Sequence, residues 1–283
     1  MLPPILSYIQ TQAIIEAHEN RQTELTVSLD LALTTASVHL TAEGVYLTEG
    51  IFLTWTDLHT IHQAESGCFL IEADGPRKIQ TFSEADNKVY TLMPTQGAPT
   101  MLISGISMHR IKGVDPQGDA RHKAKAIAPL TGQVLDTATG LGYTAIAAAK
   151  TAAHVTTIEI SPASLEIARL NPWSQPLFNN PKITQIVGDS FEEVEQFADG
   201  QFDRILHDPP SFSMAGELYS GEFYRQLYRI LARQGRLYHY VGDLESKSGR
   251  NTAIATGAMR RLQEAGFKRV ARRGDAFGLV GYK

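Results

Sequence analysis

Four carboxylates stand at the ends of apolar runs in the second half of the chain. Asp136 closes Val134-Leu-Asp136, Glu159 closes His154-Val-Thr-Thr-Ile-Glu159, Asp189 closes Ile183-Thr-Gln-Ile-Val-Gly-Asp189, and Asp208 closes Phe202-Asp-Arg-Ile-Leu-His-Asp208. The first run turns through Thr137, Gly140 and Gly142 into the alanine-rich stretch that starts near Tyr143. Glycines at such a turn remove Cβ atoms and permit positive φ, and a helix beginning there aims unpaired N–H groups at a ligand. Glu159 follows Gly140 by 19 positions, where an acid that binds a ribose is expected, so the pattern reads as a nucleotide-binding turn.

The turn alone leaves alternatives. Gly140-Leu-Gly142-Tyr-Thr-Ala145 also fits the dinucleotide fingerprint of nicotinamide enzymes, in which the first glycine follows its strand almost at once. Here Asp136-Thr-Ala-Thr intervenes and sets a carboxylate beneath the glycines. Any one of the four acids could be a helix cap or turn residue, Asp189 before Ser190 in particular, and Pro209-Pro210 could simply end a buried strand. His207 and His239, at the ends of the fourth and fifth runs, are candidate proton acceptors or satisfied structural residues.

The elements that must carry these residues alternate strand and helix. Helices are expected over Pro162–Leu170, from Ser220 along the stripe Phe223, Leu227, Ile230 and Leu231, and over Asn251–Ala265. Gly235–Val241 reads as strand five, and a last pair of strands turns at Gly274-Asp275. In an open α/β sheet, ligands bind beyond the strand C-termini, so the four acids should converge on one crevice.

In this combination the chain resembles class I S-adenosylmethionine-dependent methyltransferases over about residues 131–283, and most closely predicted methyltransferases of archaeal type with the same His207-Asp-Pro-Pro run followed by Gly216-Glu-Leu-Tyr-Ser220. The resemblance implies an α/β fold: a seven-stranded Rossmann-like sheet with its last strand antiparallel. It also implies S-adenosylmethionine as cofactor. Asp136 with Gly140 and Gly142 would line its methionine part, Glu159 would accept from the ribose hydroxyls, and Asp189 would bond the adenine amine with Phe191 close to the ring, with Thr137, Tyr143, Ile160 and Ser190 as further cofactor-binding residues. Asp208-Pro209-Pro210-Ser211-Phe212 resembles the element that related enzymes place beside the transferred methyl. Asp208, Pro209, Phe212 and His207 are therefore the catalytic candidates. Transfer from a sulfonium needs a lone pair held in line with the S–CH3 bond. A loop stripped of two N–H donors keeps carbonyls and a carboxylate that can grip an attacking amine, and Phe212 can stack on a planar acceptor.

Residues 1–112 have another texture. An amphipathic helix is expected around Ile5, Leu6, Ile9 and Ala13. Period-two strands should follow at Leu25–Leu31, Ile51–Trp55, Cys68–Ile71, Lys78–Phe82, Val89–Met93 and Met101–Ile106, with a turn at Asp74-Gly75-Pro76. This reads as a small β-rich domain joined near Gly113–Gly118 to a sheet domain over 113–283, and expected to cover the crevice or to build a homodimer. The layout is similar to that of spermidine synthases, which transfer an aminopropyl group. Their aspartate after the glycines is missing here, and Asp208-Pro-Pro-Ser211 stands where they carry an Asp-Ser/Ala-x-Asp type of sequence.

Charge narrows the acceptor. Residues 1–112 hold six Lys or Arg against twelve Asp or Glu, and the remainder twenty against eighteen. An acidic domain is a poor grip for a polyanion, so a small-molecule acceptor is favoured over RNA or a protein side chain, with aminopropyl transfer to a polyamine and a non-catalytic binding role as further alternatives. The basic runs Arg121-His-Lys-Ala-Lys125 and Lys268–Arg273 read as solvated faces or nucleic-acid contacts. The lone Cys68, within Gly67-Cys-Phe-Leu-Ile71, reads as a core residue, which disfavours the thiolate chemistry of cytosine-C5 methylation and points to a reducing cytoplasm. No metal site is expected from nine scattered histidines, and no apolar run reaches the ~18 residues of a membrane span.

Overall fold

A computed structural model describes residues 2–48, 50–244 and 249–283. The chain divides into two compact units, residues 1–117 with 163–175, and residues 118–162 with 176–283.

The first unit opens with strand β1 (Ile5–Ser7), not with the helix expected there. Pro3 and Pro4 disfavour helical backbone ahead of Ile5, and pairing with β6 (Cys68–Glu72) buries Ile5 and Leu6 completely. Helix α1 (Tyr8–Glu19) begins one residue later, where Ser7 and Gln10 form a reciprocal capping box. A four-stranded antiparallel sheet follows: β2 (Glu24–Val27), β3 (Ala36–Leu40), β4 (Gly44–Thr48) and β5 (Ile51–Thr54). Strand β2 ends at Val27, short of the expected Leu31, because Leu31 and Ala32 take positive φ in a turn that Ser28 and Asp30 hold by hydrogen bonds. Trp55, expected at the end of a strand, instead starts helix α2 (Trp55–Gln63), since Thr54 and Asp57 make a second capping box. Beyond β6 come β7 (Gly75–Lys78), β8 (Gln80–Ser83), β9 (Lys88–Met93), β10 (Thr100–Ile103) and β11 (Ile106–Ser107). Gly75 and Pro76 belong to β7, so the turn falls on Ala73-Asp74. Helix α3 (Pro116–Ala126) begins at the proline of the expected linker.

The second unit is built on a seven-stranded mixed sheet. Its strands are β12 (Gln133–Asp136), β13 (His154–Glu159), β14 (Ile183–Val187), β15 (Phe202–His207), β16 (Leu231–Tyr240), β17 (Arg269–Arg273) and β18 (Gly278–Tyr282), in spatial order β14-β13-β12-β15-β16-β18-β17. The first five run parallel, and β18 lies antiparallel between β16 and β17. This is the expected sheet with its last strand reversed. The helices of this unit are α4 (Tyr143–Ala149), α6 (Gln175–Phe178), α7 (Ser190–Glu193), α8 (Gly221–Ile230) and α9 (Arg250–Glu264), while α5 (Pro162–Leu170), between β13 and β14 along the chain, falls in the first unit from Ala163 onward. Helix α8 passes directly into β16 at Leu231, so that strand starts four residues before the expected Gly235. The last two strands are joined by a helical turn, Gly274–Ala276, with Phe277 in the left-handed region, and not by a two-residue Gly-Asp turn. Phe202, Ile205, Phe223, Leu227, Leu237, Leu262 and Leu279 are buried together on one face of the sheet. That apolar layer fixes where the strand ends fall. The order of the sheet reverses between β12 and β15, and their C-terminal ends carry the glycine turn and the Asp208 loop.

Candidate active site

The turn after β12 is held from three sides. Thr139 N–H donates to Ile158 O at 2.9 Å, Gly142 N–H to Thr139 O at 2.7 Å, and Thr139 and Thr157 share a hydroxyl hydrogen bond of 2.7 Å. Gly140 and Gly142 have φ of +52° and +77°, a region that L side chains rarely adopt. Their surroundings differ. A Cβ on Gly142 would stand 2.7 Å from Leu177, a packing constraint, whereas nothing lies within 4 Å of a Cβ on Gly140. Glu159 reaches back to this turn: one carboxylate oxygen accepts Gly140 N–H at 2.8 Å and the other Ser161 N–H at 2.9 Å.

Asp136 is fully buried beneath the glycines, where its carboxylate accepts the Thr144 hydroxyl at 2.8 Å and braces the start of α4. Burial pushes its carboxyl up to about 7, the Asp208 charge adding to the shift while Thr144 opposes it. The folded protein therefore keeps a proton that the unfolded chain releases between about pH 4 and 7. Stability contributed in this way is complete below that window and is lost as the pH rises through it. Asp136→Asn removes that part of the slope, measured as the pH dependence of thermal unfolding. Parallel curves for the two proteins would assign the proton elsewhere.

Asp189 is a helix cap. Its Oδ1 accepts Phe191 N–H at 2.8 Å at the start of α7, so the cap alternative raised by the sequence holds for that oxygen. Ser190 donates its hydroxyl to Thr137 O at 2.5 Å. Phe191 is half-buried and stacks on Phe223 with ring centroids 5.8 Å apart, while Tyr143 is buried. Ile160, directly after Glu159, is 66% exposed, and Val187 at the end of β14 is exposed as well.

The loop after β15 departs most from what the sequence suggested. His207 is buried, with both ring nitrogens engaged: Nε2 lies 2.9 Å from Leu218 O and Nδ1 2.7 Å from the Thr137 hydroxyl. A carbonyl can only accept, so Nε2 carries the proton and Nδ1 accepts from Thr137. Burial pulls the pKa of His207 down to about 3. His239 stacks on it at 4.5 Å and pairs through Nε2 with the Tyr224 hydroxyl at 2.7 Å. Burial pulls His239 down as well. These surroundings fit a neutral brace at His207, whose two ring nitrogens are both engaged, and burial keeps His239 neutral beside it.

Pro209 is buried, and Pro210 O accepts the Tyr219 hydroxyl at 3.0 Å. Phe212 is 45% exposed and meets the edge of Tyr219 at 5.4 Å. Asp208 is partnered by a residue assigned to a solvated basic run. Lys123 is 3% exposed, and its ammonium lies 2.6 Å from Asp208 Oδ2 and 2.8 Å from Asp119 Oδ2, with the Tyr240 ring 5.0 Å away. The sequence signal was the four-residue spacing of Asp119 and Lys123, which puts both on one face of α3. Burial disfavours the Lys123 charge, yet the two carboxylates outweigh it and hold the ammonium above its ordinary value. Burial raises the Asp208 carboxyl, and Lys123 opposes that rise.

These residues fit S-adenosylmethionine. The space over Gly140 is one that any side chain would occupy. Glu159 holds a fixed carboxylate beside it, fastened by the N–H groups of Gly140 and Ser161, an acceptor type that suits ribose hydroxyls. An exposed isoleucine adjoins it as an apolar wall.

Comparison with known proteins agrees. Residues 134–235 match the family described as a methyltransferase domain. The Methanocaldococcus jannaschii protein named "Uncharacterized protein MJ1233" is 46% identical over 200 residues, covering 70% of this chain and 68% of that protein. Polyamine aminopropyltransferase 1 of Streptomyces coelicolor is 34% identical over 97 residues, which are 32% of this chain and 18% of that enzyme. The solved spermidine synthase of Thermotoga maritima superposes with a TM-score of 0.56 at 17% identity, over 72% of this chain and 70% of its own, a likeness of fold. The chain belongs to the family of the archaeal protein MJ1233, and it is a methyltransferase-domain enzyme that takes S-adenosylmethionine as cofactor.

Proposed function

We propose that the enzyme methylates an amine nitrogen of a small molecule held beside Asp208, Pro209 and Phe212. The observation that carries this reading is Asp208 itself: a carboxylate at the end of β15, with one oxygen tied to Lys123, in a loop that two prolines and the Tyr219 hydroxyl hold in shape. When bound, S-adenosylmethionine supplies an electrophilic methyl group. The chain's own residues do the rest. Glu159, with Ile160 and Gly140, seats the ribose; Asp189, through the oxygen not used in capping, and Phe191 with Ser190 face the adenine; Thr137, Gly142 and Tyr143 shape the methionine end above Asp136. Asp208 accepts the acceptor's N–H and so aims its lone pair, while exposed Phe212 covers a planar or apolar part of the molecule. His207 holds the loop.

A second reading, aminopropyl transfer to a polyamine, is supported by the stretch shared with the polyamine aminopropyltransferase. We further read the protein as a cytoplasmic homodimer. Among the described residues no helix is long and apolar enough to cross a membrane. Incubation of the enzyme with methyl-labelled S-adenosylmethionine and a cell extract, followed by separation into small-molecule, RNA and protein fractions, tests the proposal. Label is expected in an amine of the small-molecule fraction. Label confined to RNA or protein would sink this reading, and transfer only from the decarboxylated cofactor would establish the aminopropyl alternative.

A further inference from the structure

Lys123 is the most unusual charged group of the second unit. Its ammonium is buried between two carboxylates, Asp119 one helical turn earlier on α3 and Asp208 across the site, and it lies by the Tyr240 ring of β16. An isolated ammonium in such a place would be strongly disfavoured, so its position is set by its partners. Helix α3 fixes the other end. Asp119 and Lys123 thus form a rigid arm that delivers a positive charge to one chosen oxygen of the Asp-Pro-Pro loop.

The other ionisable groups near Asp208 among the described residues act differently. Asp136, at the end of β12, lies close enough for the Asp208 charge to disfavour its ionisation. Asp119 is a further negative neighbour. Tyr219 and Tyr240 are phenols, and burial drives the Tyr219 pKa upward, so it stays neutral. His207, the preceding residue, is held neutral by burial. Among the described neighbours Lys123 is the cation, and without it a largely buried carboxylate among other acids would take up a proton. A protonated Asp208 would present an O–H donor where an attacking amine needs an acceptor.

We propose that Lys123 is a positioning residue for the transfer reaction: by binding Oδ2 of Asp208 it keeps that carboxylate ionised and turns Oδ1 toward the N–H of the acceptor. The inference rests on the reading of Asp208 as the acceptor's partner. It adds a requirement that the loop motif does not contain, namely a cation delivered from α3. Asp119 serves by holding Lys123 in place, and Lys123 touches neither acceptor nor cofactor.

The test follows the carboxyl carbon of Asp208 by NMR in protein labelled with 13C at the aspartate side-chain carboxyl, assigned from the signal missing in Asp208→Asn. In the wild type that carbon is expected to stay ionised through the neutral range. In Lys123→Met its titration should move up by about one pH unit or more, and in Lys123→Arg, which restores the charge, it should return most of the way. Affinity for S-adenosylhomocysteine should stay within about twofold in both variants. Methyl transfer to the labelled extract fraction should fall at least ~10-fold in Lys123→Met, with its acid limb displaced upward and with partial rescue in Lys123→Arg. A wild-type Asp208 that titrates near neutrality overturns the proposal even if no variant folds. Identical titrations in wild type and Lys123→Met also overturn it while leaving the role of Asp208 untouched. A shifted titration with unchanged transfer overturns the role of Asp208 itself.

Discussion

Asp208→Ala lowers methyl transfer by about 100-fold while the affinity for S-adenosylhomocysteine stays within a factor of about two. The loss has this size because the carboxylate contributes orientation, and a misplacement of about 1 Å at a reacting atom costs on the order of 10²-fold. A second effect must be separated from it. Removing Asp208 leaves Lys123 buried with Asp119 as its ion-pair partner among the described residues, and breaking a buried pair from one side costs about 3–5 kcal/mol of stability. The double variant Asp208→Ala/Lys123→Met removes the stranded charge, so it should recover much of that stability in denaturant unfolding and none of the turnover. Recovery of turnover would reduce Asp208 to a structural partner of Lys123. Equal loss of turnover and cofactor affinity in the single variant would move it to the cofactor side.

Glu159→Ala weakens S-adenosylmethionine binding by about 1–3 kcal/mol, roughly 5- to 150-fold in Kd by calorimetry. Two contributions add. The ribose hydroxyls lose their acceptor, and Gly140 N–H and Ser161 N–H lose theirs, which loosens the glycine turn. Glu159→Gln separates the two, since its single carbonyl can still accept one of the backbone N–H groups. It should fall between wild type and alanine. An alanine variant that binds as tightly as the wild type would remove Glu159 from the cofactor site.

The parallel sheet was legible because four of its five strands are short apolar runs closed by an acid, with a helix pattern or glycine turn behind them. Pro162 and Gly266 mark the ends of their helices directly in the sequence. Trp55 and Ile5 were misjudged for a shared reason: a hydrophobic residue serves either period, and the deciding information was in neighbours, the Thr54–Asp57 cap and the prolines at positions 3 and 4. Lys123 was missed on different grounds. Its burial depends on Asp208, 85 residues away, and no local window contains both. The same holds for His207, whose strand-end position suggested catalysis. Its hydrogen bonds run to Thr137, 70 residues earlier, and to Leu218, 11 residues later.

That pair of hydrogen bonds joins the turn beside the cofactor seat to the segment beyond the Asp-Pro-Pro loop. Ser211, Phe212 and Ser213 lie outside the brace, all exposed, with the two serine hydroxyls 3.1 Å apart. Substitutions in those three residues leave the buried polar chain intact. On the proposed reading, the choice of acceptor can therefore be re-engineered at Ser211, Phe212 and Ser213 without disturbing the His207 brace that holds the fold.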